Sequence, residues 1–245
     1  YPPSRPPKAY NTQRGHKKTF EETFELFDQQ RIIPRIWQKD HTVWQSSPDQ
    51  VSDRLGWLTV ARFMRKQISE IEGFAEKIRK SDFKHIVLLG SGGSSLGPHV
   101  LNQIFRSVGD TNERYPALII LDSTVPTCVN TVTSIIDPAR TMFVVASKSG
   151  STVEPNMLFQ YFKNEVRHAV GAKKTGDHFV AITDQGSPLD RLAAENGFCK
   201  VFLNPSDIGG RYSVLSYFGL VPMMLSGVKI LRLLDMAQTM QEECS

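Results

Sequence analysis

The sequence has few cysteines and no long apolar segment. Its 245 residues include three cysteines, an odd number without short spacing, which indicates neither a disulfide framework nor a zinc site and favours a reducing compartment. The longest apolar run, residues 214–225, is shorter than the roughly 18 residues of a membrane-spanning helix, and Gly219 and Pro222 interrupt it. We therefore expect a soluble, cytoplasmic protein that does not bind a membrane.

An excess of one sign of charge is also missing outside the N-terminus. The net charge is +4, but residues 1–20 contain five basic residues and no acidic one, which leaves 24 basic and 25 acidic residues in the remainder. This N-terminal segment has four prolines and no periodicity, as is typical of a linker or a disordered tail. A basic tail can bind phosphate backbones nonspecifically. Because the excess charge is confined to the tail, we expect no nucleic-acid partner.

Apolar periodicity divides the chain into three parts. After the linker, residues 21–81 have a helical pattern, and we interpret their three tryptophans as structural. Residues 82–245 have the pattern of an α/β domain. The apolar residues of the helical part recur at steps of three and four, which predicts one buried face: Phe63, Met64, Ile68, Ile71, Phe74 and Ile78.

Five short runs rich in β-branched residues follow, each with a turn and a helix-like stretch behind it. Continuously apolar strands that alternate with helices indicate a parallel sheet buried on both faces. We therefore predict a three-layer αβα sandwich with a five-stranded parallel sheet, preceded by N-terminal helices. Ligands of such sheets bind at the carboxyl ends of the strands, so the chemistry is expected there. The runs are residues 85–90, 117–122, 141–147, 178–183 and 200–204.

The first run is followed by the glycine-rich sequence GSGGSSLGP, residues 90–98. Glycines allow a ligand to approach the backbone closely, and the following helix presents free N–H groups and the positive end of its dipole. Ser94 and Ser95 add hydroxyl groups, and Pro98 suits a first helical turn. The stretch is not a nucleoside-triphosphate loop, because it lacks a lysine followed by serine or threonine.

The third run is followed by the hydroxyl-rich sequence SKSGSTVE, residues 147–154. Four hydroxyl groups and a lysine crowd a turn where backbone donors converge, so an anion could accept several hydrogen bonds at once. The alternative is a capping box formed by Ser151 and Glu154. Capping would leave the other hydroxyl groups and the lysine unexplained, and we favour anion binding.

The fifth run leads to Gly209, Gly210 and Arg211. The two glycines permit a tight turn that would direct the guanidinium towards the same sheet edge, where it could bind an oxyanion. The alternative is a surface arginine paired with Asp207. Two serine-rich turns with an arginine, but without an acidic cluster for magnesium, indicate a phosphorylated small molecule whose phosphate is held rather than transferred. We expect a phosphosugar and neither a cofactor nor a metal.

Three motifs in this order resemble the glucose-6-phosphate isomerase family, which is built of sugar-isomerase (SIS) domains: LLGSGGSSLGP, VVASKSGSTVE and IGGRYSVLSYFGLVP. The resemblance covers residues 53–245. The stretches RLGWLTV and ITDQGSPLDRLA look most like the subgroup in which the isomerase is fused behind a transaldolase, which would make residues 1–20 an interdomain linker. The resemblance implies interconversion of glucose 6-phosphate and fructose 6-phosphate, and a homodimer in the full-length protein.

The resemblance also implies residue roles. Arg211 would stabilise the enediolate that forms as a proton moves between C1 and C2 of the sugar. The phosphate-binding residues would be Gly93, Ser94, Ser147, Lys148, Ser149 and Thr152.

The family also uses a proton-abstracting glutamate, a ring-opening histidine and a lysine near the carboxyl terminus, and their motifs are not found in this chain. They belong to a second SIS domain, which is expected to begin about where this sequence stops. Glu154 is interpreted as a cap residue, and His85 and His178 are predicted at the strand starts, which form the opposite edge. We therefore predict that this chain lacks the general base and is inactive alone.

Two alternatives are kept open. GSGGSS nearly matches the dinucleotide fingerprint, and Asp122 ends the second strand as a ribose-binding acid would, which could indicate a nicotinamide-dependent oxidoreductase. Against this, Asp122 lies some thirty residues after the glycines, farther than the fingerprint requires. The hydroxyl-rich turn would also have no role in binding a dinucleotide. The second alternative is a noncatalytic phosphosugar-binding regulatory SIS module.

Overall fold

Five parallel strands form one sheet in the computed structural model, which describes residues 13–107 and 115–245. The order across the sheet is β2-β1-β3-β4-β5. All four pairings are parallel. The strands are β1 (His85–Gly90), β2 (Ala117–Leu121), β3 (Thr141–Ala146), β4 (Phe179–Asp184) and β5 (Lys200–Asn204).

Helices cover both faces of this sheet. They are α1 (Gln13–Gln29), α2 (Ile32–Trp37), α3 (Val60–Arg79), α4 (Gly93–Ser107), α5 (Pro126–Ile135), α6 (Val153–Val170), α7 (Pro188–Glu195), α8 (Tyr217–Leu225) and α9 (Ile230–Glu243). Short 3-10 helices lie at His41–Val43, Ser52–Arg54, Gly56–Thr59, Pro138–Arg140, Ala172–His178 and Gly210–Leu215.

Alternating side chains of each strand enter two separate cores. Ile86 and Leu88 of β1 pack in the core beneath α3, α4, α8 and α9. Val87 and Leu89 pack in the core beneath α5, α6 and α7. Because successive side chains of a strand point to opposite faces, a run that is apolar throughout satisfies both cores. The predicted three-layer αβα sandwich is confirmed.

The direction of winding reverses between β1 and β3. The chain runs from β1 through α4 to its neighbour β2, then returns through α5 on the other face to β3, which pairs with the opposite side of β1. In open α/β sheets this reversal opens a crevice at the carboxyl ends of the two strands. The turns after β1 and β3 flank this crevice.

The strand bounds follow the prediction closely. β1 and β5 match it, β2 and β3 each end one residue earlier, and β4 is shifted by one residue, to Phe179–Asp184 rather than residues 178–183. His178 ends a 3-10 helix, and its buried Nδ1 lies 3.0 Å from the carbonyl oxygen of Thr141. The side chain is thus occupied in attaching the 3-10 helix to β3.

The N-terminal part is helical, as its periodicity predicts, but its helices differ in burial. Met64 and Ile71 of α3 are fully buried, whereas Phe63 is 38% exposed and lies off the buried face. All of residues 19–30, which belong to α1 and the turn after it, are exposed. Of the predicted linker, residues 1–12 lie outside the described residues and α1 begins at Gln13.

No helix among the described residues is long and apolar enough to cross a membrane.

Candidate functional site

Two of the predicted anion-binding turns leave the sheet side by side. Gly90, the last residue of β1, is in register with Ala146, the last residue of β3. Neighbouring strands lie about 4.8 Å apart. The first turn (residues 91–95) and the second turn (residues 147–152) therefore start from adjacent positions on the same rim of the sheet.

The second turn is organised around the buried hydroxyl group of Ser147. This hydroxyl donates to Oγ1 of Thr152 at 2.9 Å and accepts from the N–H of Gly150 at 3.1 Å. Gly150 has φ 68°, and a Cβ there would lie 2.5 Å from the backbone nitrogen of Leu189. Only glycine fits this position without strain. The sequence therefore specifies one tight conformation for the turn.

The end of β4 supports the second turn from beneath. The hydroxyl of Thr183 donates to the carbonyl of Ser147 at 2.7 Å, and the N–H of Asp184 donates to the carbonyl of Lys148 at 3.2 Å. These bonds use backbone carbonyls. They leave the hydroxyls of Ser149 and Ser151 on the solvent side, where both residues are exposed and their Oγ atoms are 2.9 Å apart. The N–H of Gly150 is bonded to Ser147, and that of Ser151 to Oγ of Ser149.

The capping-box alternative is wrong. The N-cap of α6 is Thr152, not Ser151, and its side chain makes no cap hydrogen bond. Glu154 is exposed in the first turn of α6 and has no hydrogen-bond partner among residues 13–107 and 115–245, so it is not a cap residue. The free N–H groups of this helix end therefore remain available to an anion.

Lys148 extends away from the hydroxyl groups of the second turn. Its ammonium contacts Oδ2 of Asp184 at 2.5 Å and the carbonyl of Ser206 at 2.9 Å. Burial raises the pKa of the Asp184 carboxyl, an effect that the lysine opposes. The ammonium has three N–H donors and two partners, so one donor remains for a ligand.

The first turn buries two of its three serines, Ser94 and Ser95. Ser95 donates to the carbonyl of Gly92 at 3.1 Å, whereas the hydroxyl of Ser94 makes no hydrogen bond within the described part of the chain. The expectation for Pro98 is wrong, because α4 already begins at Gly93 and the proline lies in its second turn. A proline there has no N–H for the carbonyl of Ser94, four residues earlier.

The Arg211 turn (residues 207–212) packs directly on the first turn. A Cβ atom on Gly93 would overlap the carbonyl oxygen of Gly210. The hydroxyl of Ser213 donates to that oxygen at 2.7 Å and lies 3.3 Å from the carbonyl oxygen of Gly93. All three turns that the sequence analysis selected are therefore neighbours at one rim.

Arg211 is exposed, and its guanidinium has no hydrogen bond or ion pair with any residue that the structure describes. The alternative in which it pairs with Asp207 is wrong, because Asp207 pairs with Lys39 at 3.2 Å. A permanent cation without a partner in the described part of the chain, beside two donor-rich turns, is free to bind an anionic ligand.

Sequence reasoning missed the contacts between the N-terminal segment and the Arg211 turn. Leu55 forms an antiparallel bridge with Ile208, and the ring of Trp57 stacks on that of Tyr212. More than 150 residues separate each pair in the sequence, and no periodicity or motif spacing connects them. The sequence pattern indicates only a structural role for Trp57. It does not predict that the ring stacks on Tyr212, the residue after Arg211.

The two candidate histidines lie at the opposite edge of the sheet, as predicted. His85 begins β1, and the ring of His178 packs edge-on against that of Phe83, with 5.2 Å between the centroids. Neither side chain can reach a ligand bound at the carboxyl ends of the strands.

Comparisons with a family model and with curated proteins agree on one family. The phosphoglucose isomerase model matches residues 51–244. The glucose-6-phosphate isomerase of Staphylococcus epidermidis is 30% identical over 233 residues, which are 94% of this chain and 52% of that protein. The enzyme of the same name from Carboxydothermus hydrogenoformans is 33% identical over 196 residues, 78% of this chain and 42% of that protein.

Solved structures agree with these relatives in fold. A hypothetical protein of Thermus thermophilus has a TM-score of 0.77 at 27% identity, over 94% of this chain and 50% of its own. A glucose-6-phosphate isomerase of Chlamydia trachomatis has a TM-score of 0.73 at 23% identity, over 89% of this chain and 44% of its own, which shows the fold alone. The chain spans about half the length of the curated relatives it matches.

Proposed function

The chain belongs to the phosphoglucose isomerase family, and on that premise we propose that it forms the phosphosugar-binding half of an isomerase that interconverts glucose 6-phosphate and fructose 6-phosphate. The observation that carries the proposal is the convergence of three turns at one rim, two of them rich in hydroxyl and N–H donors and the third bearing a cation without a partner among the described residues.

In this proposal the second turn holds the phosphate. Ser149 and Thr152 donate their hydroxyl hydrogens to phosphate oxygens, together with the N–H groups at the start of α6, while Ser147 fixes the turn from within. Charge-assisted hydrogen bonds of this kind are about twice as strong as neutral ones. Lys148 raises the local potential, and Gly93 and Ser94 of the first turn complete the phosphate site from the other side.

Arg211 acts on the reacting carbons. When a proton leaves C2 and another is delivered to C1, negative charge develops on the C1 and C2 oxygens of the enediolate, and a cation already in place stabilises that charge without reorganisation. Its lack of a partner in the described chain supports this role, because an arginine held in an ion pair would first have to leave it.

We propose that the general base is not among the described residues. Glu154 is a carboxylate at the correct rim, but it lies two residues beyond Thr152 in the helix end that would hold the phosphate. There it would face a dianion rather than C2, and like charges so close are unfavourable. The chain alone therefore binds the ligand without turnover.

We also propose a homodimer for the full-length protein and a cytoplasmic location. Family resemblance supports the dimer. All three cysteines are free, which supports a reducing compartment.

The direct test is calorimetric titration of the chain with a phosphorylated sugar acid that mimics the enediolate, alongside a coupled isomerase assay. We expect saturable binding without turnover, and no binding of NADH at the same concentration. Absence of sugar-acid binding contradicts the phosphosugar site, robust turnover contradicts the incomplete site, and binding of NADH alone would favour the oxidoreductase alternative.

A further inference from the structure

Residues of the N-terminal segment contact the Arg211 turn, and the family model covers this segment only in part. The ammonium of Lys39 lies 3.2 Å from Oδ2 of Asp207, and the N–H of Gly56 donates to the backbone carbonyl of the same aspartate at 2.8 Å. Leu55 forms an antiparallel bridge with Ile208, and both residues are buried. We call Lys39, Leu55, Gly56 and Trp57 the clamp.

The clamp also reaches the other side of Arg211. The rings of Trp57 and Tyr212 are stacked, with 5.6 Å between their centroids and 22° between their planes. Offset stacking of two aromatic rings is favourable beyond the area it buries. A Cβ on Gly56 would overlap the carboxylate of Asp207, so a larger residue at this position would displace the side chain that Lys39 pairs with.

These contacts could simply attach the N-terminal helices to the domain, but that attachment is already made elsewhere. The buried face of α3 packs in the core with α8 and α9. The indole N–H of Trp37 donates to the carbonyl of Cys244 at 2.7 Å. The clamp differs from these contacts because it grips residues 207, 208 and 212, on both sides of Arg211.

The guanidinium of Arg211 has no side-chain partner in the described chain, so the backbone of its turn sets the region that the guanidinium can reach. Gly93 and Ser213 hold that backbone from the ligand side, and the clamp holds it from the other. We propose that Trp57 and Lys39 are positioning residues that fix the Arg211 turn for the ligand. The inference rests on the proposed function for the role of Arg211, but not for the rigidity of the turn.

Rigidity is tested on the ligand-free chain by amide hydrogen exchange. The N–H of Tyr212 donates to the carbonyl of Gly209 at 2.9 Å and reports on the turn. Relative to amides of β3, we expect Trp57→Ala to accelerate exchange at Tyr212 by about 10-fold through local opening. Trp37→Ala, which removes an indole bonded to Cys244, is the matched control and should leave this ratio unchanged. An unchanged ratio in Trp57→Ala overturns the proposal whether or not a ligand binds.

Positioning is tested by a double-mutant cycle on the affinity for the phosphorylated sugar acid. We expect Trp57→Ala to weaken binding by about 3- to 30-fold, as for coupled neighbours, and Trp57→Phe to stay within about 2-fold of the parent. Lys39→Gln should weaken binding by about 2- to 5-fold, because the ion pair that it removes is partly exposed. In an Arg211→Ala background, Trp57→Ala should change affinity by less than about 2-fold.

The outcomes separate the two hypotheses. A loss of affinity on Trp57→Ala that persists in the Arg211→Ala background overturns positioning, since the effect would not act through the arginine. If the unaltered chain does not bind the sugar acid, or Arg211→Ala has no effect, the proposed function fails, and hydrogen exchange still decides whether the clamp fixes the turn.

Discussion

Gly93 and Gly210 pack backbone to backbone, and this contact joins the first turn to the Arg211 turn. It links the start of α4 with the segment after β5, two elements that lie far apart in the sequence and on either side of the sheet centre. Because the neighbour is a backbone carbonyl rather than a flexible side chain, neither residue can yield without moving its turn.

Substitution of Gly93 by alanine should therefore move the Arg211 turn. We expect Gly93→Ala to destabilise the fold by about 1–3 kcal/mol, as overpacking does, and to weaken sugar-acid binding as well. Thermal unfolding and calorimetry measure the two effects. Gly73→Ala is the control, because Gly73 lies within α3 with open space around its Cα, and it should stabilise the helix by about 0.5–1 kcal/mol. Normal sugar-acid affinity in Gly93→Ala would contradict the coupling between the turns.

Removal of the Ser149 and Thr152 hydroxyls should weaken ligand binding, and the Thr152 change also removes the acceptor of the buried Ser147 hydroxyl. Ser149→Ala with Thr152→Ala removes two hydrogen bonds to a charged group, each worth about 1.5–3 kcal/mol, so we expect affinity for the sugar acid to fall by at least about 100-fold. Thr131→Ala with Ser134→Ala removes the same residue types from the exposed surface of α5 and should leave affinity unchanged. Equal affinities for the two double variants would mean that the phosphate lies elsewhere.

The Lys148–Asp184 pair should make stability depend on pH. Burial raises the pKa of the Asp184 carboxyl in the folded protein above its usual value. The folded state therefore binds this proton more tightly than the unfolded state, and its stability falls as pH rises through the window between the two pKa values. Lys148→Met removes the opposing cation, so the pKa should rise further and the loss of stability should extend to higher pH.

Thermal unfolding across pH 4 to 8 measures this effect. The difference between the parent and Lys148→Met should be smallest at the acid end and reach about 1–3 kcal/mol above neutrality, the cost of an unpaired buried polar group. Adding Asp184→Asn to Lys148→Met removes the titrating carboxyl and should abolish the pH dependence of the difference. A difference that is constant with pH would show that the aspartate stays ionised throughout.

The three cysteines should differ in reactivity towards a thiol-specific disulfide reagent. Burial raises the pKa of the Cys199 thiol to about 11, whereas Cys128 and Cys244 are exposed. Since the thiolate is the reactive species, two thiols per chain should react quickly at pH 8 and the third only after unfolding in guanidinium. Rapid modification of all three in the folded chain would contradict the burial of Cys199.

Patterns within one element were sufficient to predict the sheet. A run such as HIVLLG is apolar at nearly every position, and β1 does place alternate side chains in two cores. The turns after β1 and β3 could be brought to one rim for the same reason, because all strands of a parallel sheet end on the same side. The order of the three motifs along the chain then indicated the family.

Contacts between elements were not predictable in the same way. Ser151 and Glu154 have the spacing of a capping box, but the conformation of Gly150 places Thr152 at the N-cap instead. Lys148 pairs with Asp184 because β4 lies next to β3, and the sequence alone does not predict this strand order. The stack of Trp57 on Tyr212 likewise depends on how the N-terminal segment folds back over the domain.

The reversal of winding between β1 and β3 has a mechanical consequence. The helices that begin at the two turns, α4 and α6, lie in opposite outer layers of the sandwich. A dianion that bridged both turns would fasten one layer to the other across the edge of the sheet, at the point where no covalent connection crosses it. A ligand bound in the crevice would then oppose sliding of one layer against the other, and the domain would be more rigid with the ligand than without it.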